Sequence, residues 1–117
     1  MKKILLLASL LLSSAAQAET WICSSISSEK QTMYKFVRSG EKFIETVTTG
    51  TEESSSMNEI LAEDEDQLII GYIRASGFLS GAIMKVINKK TLEFVIDGMY
   101  VSNDYAFIRE EGICTKI

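Results

Sequence analysis

The chain has no histidine among its 117 residues, and this absence removes several kinds of chemistry at once. A Ser-His-Asp or Cys-His nucleophile system needs an imidazole as its base, and histidine-based zinc sites need it as a ligand. Serine–lysine pairs work without histidine, and the sequence leaves open whether Lys35 or Lys85 reaches a loop serine. With no convincing catalytic constellation in view, we expect a protein that is not an enzyme and that has no metal site and no cofactor.

Cysteine is scarce, with only Cys23 and Cys114 near the two ends of the chain. The two residues lack the close Cys-x-x-Cys spacing and the activating basic neighbour of a redox-active pair. An even number of cysteines in a small exported domain usually forms disulfides. We therefore predict a structural disulfide that joins the first strand to the last.

Residues 1–18 have the features of a signal peptide. Two lysines at the start precede an apolar run from Ile4 to Leu12, and Ala16-Gln17-Ala18 matches the small-x-small cleavage rule. The apolar run is shorter than the roughly 20 residues that a membrane-spanning helix needs. The sequence predicts cleavage after Ala18, one β domain over residues 19–117, and no membrane span in that remaining chain.

Acidic residues outnumber basic ones, with 16 Asp and Glu against 12 Lys and Arg and a net charge of −4. Removal of the two lysines of the signal peptide makes the chain still more acidic. Nucleic acid is excluded as an expected partner, because phosphate backbones attract Lys and Arg and repel carboxylates. A basic protein would instead be attracted by long-range electrostatic steering. The oligomeric state stays open.

Short alternating apolar segments separated by polar turns are typical of antiparallel strands. The sequence predicts an all-β fold, a small antiparallel meander barrel or sandwich of about 7–9 strands. Turns are expected at Ser39–Glu41, Glu63–Asp66 and Asp97–Gly98, and Gly50–Ser56 is expected to be the least ordered segment. Tyr105–Arg109 and Ile113–Ile117 are expected to be separate strands. Aromatic strand residues are expected in the core, namely Trp21, Tyr34, Phe36, Phe43, Phe94, Tyr100 and Phe107.

Two segments are candidates for partner contact. The first is the acidic run of Glu63, Asp64, Glu65 and Asp66, and the second is the glycine-bearing stretch that contains Ser76, Gly77, Phe78 and Ser80. The acidic run lacks the spacing of an EF-hand calcium loop, and it gives no sign of the burial that a hydrolase carboxylate pair needs. A solvated connector is the alternative interpretation of the same run.

Two resemblances extend over much of the chain. Trp21-Ile22-Cys23, the hairpin from Tyr34 to Glu45, the turn Ile87–Thr91 and the closing Cys114-Thr115-Lys116 resemble a group of short exported proteins of Gram-negative bacteria. The two-cysteine layout and Ala75–Gly81 are similar to the periplasmic inhibitors of C-type lysozyme, which are small β-barrels with a Ser-Gly-containing inhibitory loop. The chain departs from that family in lacking the tyrosine of the loop and the aromatic-rich, lysine-containing strand that follows it.

We therefore expect an exported binding protein, periplasmic or secreted from a Gram-negative bacterium. The lysozyme-inhibitor resemblance implies that its target is a basic lysozyme-like hydrolase. Two alternatives stay open, a small β-barrel that carries an apolar small-molecule ligand and a structural protein of the cell envelope.

Overall fold

The computed structural model of the chain describes residues 18–26, 31–74, 80–101 and 105–117. Within these ranges the chain forms eight β-strands: β1 (Thr20–Ser25), β2 (Thr32–Ser39), β3 (Lys42–Thr49), β4 (Glu52–Glu63), β5 (Gln67–Arg74), β6 (Ser80–Asn88), β7 (Glu93–Val101) and β8 (Tyr105–Lys116). Each strand pairs antiparallel with the next, and β8 pairs with β1, so the sheet closes into a barrel. The predicted all-β meander is confirmed. All but the last residue of the predicted signal peptide lies outside the described residues.

The first and last strands are joined covalently. Cys23 and Cys114 are directly opposite each other in the β1–β8 ladder and form a disulfide, as predicted. Gly112 lies beside this seam, where a Cβ atom would come within 2.0 Å of the carbonyl oxygen of Ser24. The two strands therefore approach too closely there for any side chain. The disulfide is consistent with an oxidising, exported environment.

Two tight turns are set by glycine. Gly40 and Gly50 each occupy the first position of a two-residue connection, with φ of 66° and 62°. Glycine adopts positive φ without steric cost, and this is the position at which type II′ hairpin turns favour it. The predicted turn between β2 and β3 is therefore confirmed.

Three local predictions are wrong. The segment expected to be least ordered mostly belongs to β4, because Glu52–Glu59 pairs in continuous register with β3 and this pairing overrides the weak strand preference of three serines. Gly98 does not turn the chain, since it pairs with Ile83 on one side and Ile108 on the other, inside β7. The last two predicted strands are one continuous β8.

The interior of the barrel has an apolar half and a polar half. The apolar half lies near the chain termini and contains Trp21, Phe36, Phe43, Leu68, Ile87 and Phe94. Further along the same inward faces, Glu45, Asn58 and Lys85 are buried. Phe107 was predicted to lie in the core, and this prediction is wrong. Its side chain is 78% exposed on the outer face of β8. Tyr100 is only partly buried.

The disulfide is expected to supply a large part of the stability. Replacing both cysteines in a Cys23→Ala/Cys114→Ala variant should lower the free energy of unfolding by up to about 4 kcal/mol, because the bond closes a loop with a sequence separation of 91 residues. Urea unfolding measures the change, and the wild-type chain with its disulfide reduced should lose a similar amount. An unchanged urea midpoint in both would contradict this role.

Candidate functional site

The two segments predicted for partner contact adjoin opposite ends of β5 in the sequence. The acidic run leads from β4 into the start of β5, whereas the glycine-bearing stretch follows the end of β5. The eight residues of β5 separate them by about 23 Å at the usual rise per residue. Ser76, Gly77 and Phe78 lie outside the described residues, and Ser80 begins β6. Of the residues predicted for partner contact, the structure therefore describes the acidic run and the backbone of Ser80.

Basic side chains neutralise much of the acidic run. The guanidinium of Arg38 donates two hydrogen bonds to Glu63, at 2.9 and 3.0 Å, and Lys89 donates a third at 3.2 Å. These bonds, those from Arg38 above all, lower the pKa of Glu63 from 4.5 to about 2. Asp66 forms an ion pair with Lys90 at 2.9 Å. Two of the four carboxylates of this turn are thus paired with basic side chains of the chain itself.

Asp64 gives the turn its shape. Its Oδ1 accepts hydrogen bonds from the backbone N–H groups of Asp66 and Gln67, at 2.7 and 2.8 Å, in the manner of an Asx turn. These backbone bonds lower the pKa of Asp64. Among the residues that the structure describes, no cluster of three or more Cys, Asp or Glu side chains is placed to hold a metal ion. The acidic run therefore has a structural explanation of its own.

A different surface stands out on the outside of the barrel. We call it the apolar face, and it consists of Leu61, Ile73, Ala82, Met84, Met99 and Phe107, which line a shallow depression. Ile73 and Phe107 are each 78% exposed. Scattered exposed apolar side chains are ordinary, but a contiguous group is typical of a contact surface.

The strand register explains why these side chains meet. Ile73 is opposite Ala82, Ala82 is opposite Met99, and Met99 is opposite Phe107, so four adjacent strands contribute one outward-facing row. Cross-strand neighbours have Cβ atoms about 5 Å apart, and the row is therefore continuous. Met84 belongs to the next row of the same outer surface.

Charged residues border the apolar face on one side. Met84 is opposite Asp97, and Asp97 is opposite Arg109, with which it forms an exposed ion pair at 3.2 Å. Glu111 lies 3.6 Å from the same guanidinium. Glu59 of β4 belongs to the same row, because it is opposite Gly71 and Gly71 is opposite Met84. Three carboxylates stand against one guanidinium and the ammonium of Lys42 on β3, which is opposite Glu59, and the border has a small negative balance.

The polar half of the interior contains a group of buried polar and charged side chains that contact one another. Lys85 is 3% exposed; its Nζ lies 2.5 Å from Glu45 Oε1 and donates to Asn58 Oδ1 at 2.8 Å. Ser56 donates to the other oxygen of Glu45 at 3.1 Å. The ring of Tyr72 lies 4.9 Å from the ammonium. Burial lowers the pKa of Lys85, and the neighbouring carboxylate opposes that change.

Tyr34 forms a separate interior contact. Its hydroxyl donates to Glu110 Oε2 at 2.5 Å, across the barrel from β2 to β8. Burial raises the pKa of Tyr34, and the hydrogen bond to Glu110 raises it further. The hydroxyl therefore stays protonated and serves as a donor.

No protein-family model, curated protein or solved structure matches this chain. The site is therefore argued from the residues of this barrel alone. In the described ranges, no helix has the length and apolar character needed to cross a membrane.

Sequence reasoning missed both the apolar face and the interior group, although one signal was present. Cysteine is among the most often buried residues, and an inward Cys114 places the even-numbered residues of a continuous β8 inside and Phe107 outside. Because β8 was predicted as two separate strands, the alternation could not be followed from Cys114 to Phe107. The same alternation places Lys85 inside, between Ile83 and Ile87.

The Glu63–Arg38 pair is expected to make stability depend on acid pH. Because the folded pKa of Glu63 is depressed, its contribution is full above pH 4.5 and is lost as the pH falls to about 2. Solvent screening limits the contribution to about 1 kcal/mol. Urea unfolding at several pH values should show a smaller loss on acidification in Arg38→Gln than in the wild type. Lys90→Gln, which removes an exposed pair, is the control, and equal acid sensitivity in Arg38→Gln and the wild type would contradict the assignment.

Proposed function

We propose that this chain is an exported binding protein, periplasmic or secreted, that recognises a basic protein through the apolar face. The observation that supports it best is the outward row Ile73–Ala82–Met99–Phe107, with two side chains almost wholly in solvent. Burying such a row on a partner removes apolar surface from water, which is the main favourable term in association. Aromatic and methionine side chains are also enriched in protein interfaces.

Charge supports a basic partner in particular. The chain has a net charge of −4, and Glu59, Asp97 and Glu111 outnumber Arg109 and Lys42 along the border of the apolar face. An acidic border beside an apolar surface attracts a positively charged protein over a distance and orients it during encounter. The acidic run at Glu63–Asp66 contributes less to such an encounter, because two of its four carboxylates, those of Glu63 and Asp66, already have basic partners within the chain.

A lysozyme-like hydrolase is the partner class that fits these features and the resemblance to lysozyme inhibitors. The glycine-bearing stretch with Ser76 and Ser80 joins the end of β5 to the start of β6. Ile73 and Ala82, two members of the apolar face, therefore flank that stretch in sequence. The segment that suggested an inhibitor is therefore bounded in sequence by two members of the apolar face, and this adjacency supports the choice of partner class.

Binding to a C-type lysozyme at low ionic strength tests the proposal. The chain from residue 19, with its disulfide intact, is expected to bind the enzyme and to slow its lysis of bacterial cell walls. A Phe107→Ser variant should weaken binding at least tenfold, which is about 1.4 kcal/mol, because it removes an exposed aromatic anchor. Titration calorimetry and a turbidity assay give the two measurements. Met33→Ser is the matched control, since Met33 is an exposed apolar residue on β2, outside the apolar face.

Other occupants of the apolar face give different results in the same experiment. A wild-type chain that ignores lysozyme but forms a dimer, with a monomeric Phe107→Ser variant, would assign the face to a second copy. An apolar molecule that co-purifies with the wild type and appears in native mass spectra would favour the carrier function. Equal lysozyme binding by both variants would show that the contact lies elsewhere.

A further inference from the structure

The interior group of Glu45, Asn58 and Lys85 brings an amine, a carboxamide and a carboxylate into contact inside a closed barrel. The three residues lie on β3, β4 and β6, and they are 5%, 0% and 3% exposed. We infer that Lys85 and Asn58 form a covalent amide cross-link, between Nζ and Cγ, in which Glu45 acts as the acid–base group. This inference is independent of the proposed binding function.

The distances place the reacting atoms near each other. Nζ of Lys85 lies 2.8 Å from Oδ1 of Asn58. Because a C=O bond is about 1.2 Å long, Nζ is within about 4 Å of Cγ. A small rotation that moves the amine from the edge of the carboxamide to its face brings the two atoms to attack distance. Well-oriented reacting groups held about 3–3.5 Å apart reach effective concentrations of roughly 10⁵ M or more.

The reaction balances without an external reagent. The Lys85 ammonium passes one proton to the Glu45 carboxylate, 2.5 Å away, and becomes a neutral amine. Nζ then bonds to Cγ, and the bond from Cγ to Nδ2 breaks. Glu45 returns its proton to Nδ2 and accepts the second proton from Nζ. Ammonia and that last proton leave as ammonium, and no electrons are transferred.

Burial favours each step. Desolvation lowers the pKa of Lys85, so the nucleophilic amine form is more accessible than for a lysine in water. The ring of Tyr72 covers the nitrogen, with Nζ 4.9 Å from the ring centre. Few water molecules can then compete for Cγ or for the carboxyl group of Glu45.

The polar contacts of Asn58 also point to this outcome. Its Oδ1 accepts from Lys85, but its Nδ2 is buried and has no acceptor among the residues that the structure describes. A buried donor left unpaired costs about 1–3 kcal/mol. Nδ2 is the atom that departs as ammonia, so the reaction removes the unpaired group. A mere structural amide in this position would be expected to have both ends partnered.

The cross-link would act at the weakest seam of the barrel wall. The β4–β5 ladder has a bulge between Ile60 and Ala62 and ends at the pair Glu59 and Gly71, although both strands continue past it. Asn58 is the next residue of β4 beyond that last pair. A bond from Asn58 to β6 would hold β4 across the unpaired section, much as the disulfide holds β1 against β8.

Mass spectrometry of the folded, disulfide-bonded protein tests the inference. After reduction and denaturation, the wild-type chain should be lighter than its sequence mass by one ammonia, about 17 Da. Trypsin should no longer cleave after Lys85, and the digest should contain a branched peptide that joins residues 43–74 to residues 75–89. A folded wild-type chain of full mass would overturn the inference. An ammonia loss confined to the Asn58 peptide, with Lys85 still cleaved, would also overturn it, since that product is a cyclised asparagine.

Variants test separately whether the cross-link forms and whether Glu45 acts as its acid–base group. Lys85→Arg should fold at full mass, because a guanidinium does not attack the carboxamide. Glu45→Gln keeps the shape of the side chain and should slow cross-linking about 100-fold or more. Glu59→Gln, an exposed change on β4, is the control and should react like the wild type. Cross-linking in Glu45→Gln at the wild-type rate would overturn the acid–base role. If that variant does not fold, Glu45→Asp provides the same comparison with the carboxyl group withdrawn by one methylene.

Discussion

Closure of the sheet is the constraint on which the rest of this structure depends. Pairing between β1 and β8 turns a meander into a barrel, and the Cys23–Cys114 bond fixes that pairing in one register. Because side chains alternate across a strand, this register decides which residues face inward along all the strands. A slip by one residue would exchange the core with the outer surface. The disulfide therefore fixes which side of β8, the side of Phe107 included, faces outward as well as contributing to the stability of the fold.

Closure also explains why charged side chains occur inside the barrel and large apolar side chains occur on its outer surface. The apolar half of the interior, around Trp21 and Phe94, supplies the packing that a small domain needs. The other half can then contain Lys85 and Glu45, which are costly to bury unless they are paired. On the outside, Phe107 and Ile73 are not needed for the core. Their exposed surfaces are therefore free to contact a partner.

Local patterns in the sequence were sufficient for the hairpin of β2 and β3, for the disulfide and for the all-β class. They failed at β4, where serines and glutamates carry little apolar signal and the strand forms because β3 pairs with it. They failed again at β8, which was predicted as two separate strands on either side of residues 110–112. The contact of Glu45, Asn58 and Lys85 could not be predicted, because three separate strands bring it together and no spacing along the chain encodes that distance. The apolar face depends on the same long-range register.

Hydroxyl-radical footprinting with and without a C-type lysozyme shows directly whether the apolar face is the contact surface, since methionine and aromatic side chains both report solvent access. Met84, Met99 and Phe107 are exposed in the free protein and lie on the apolar face, whereas Met33 is comparably exposed on β2. We predict that lysozyme lowers the oxidation of Met84, Met99 and Phe107 and leaves that of Met33 unchanged. Unchanged oxidation of the apolar face, with protection of Met33, would contradict it.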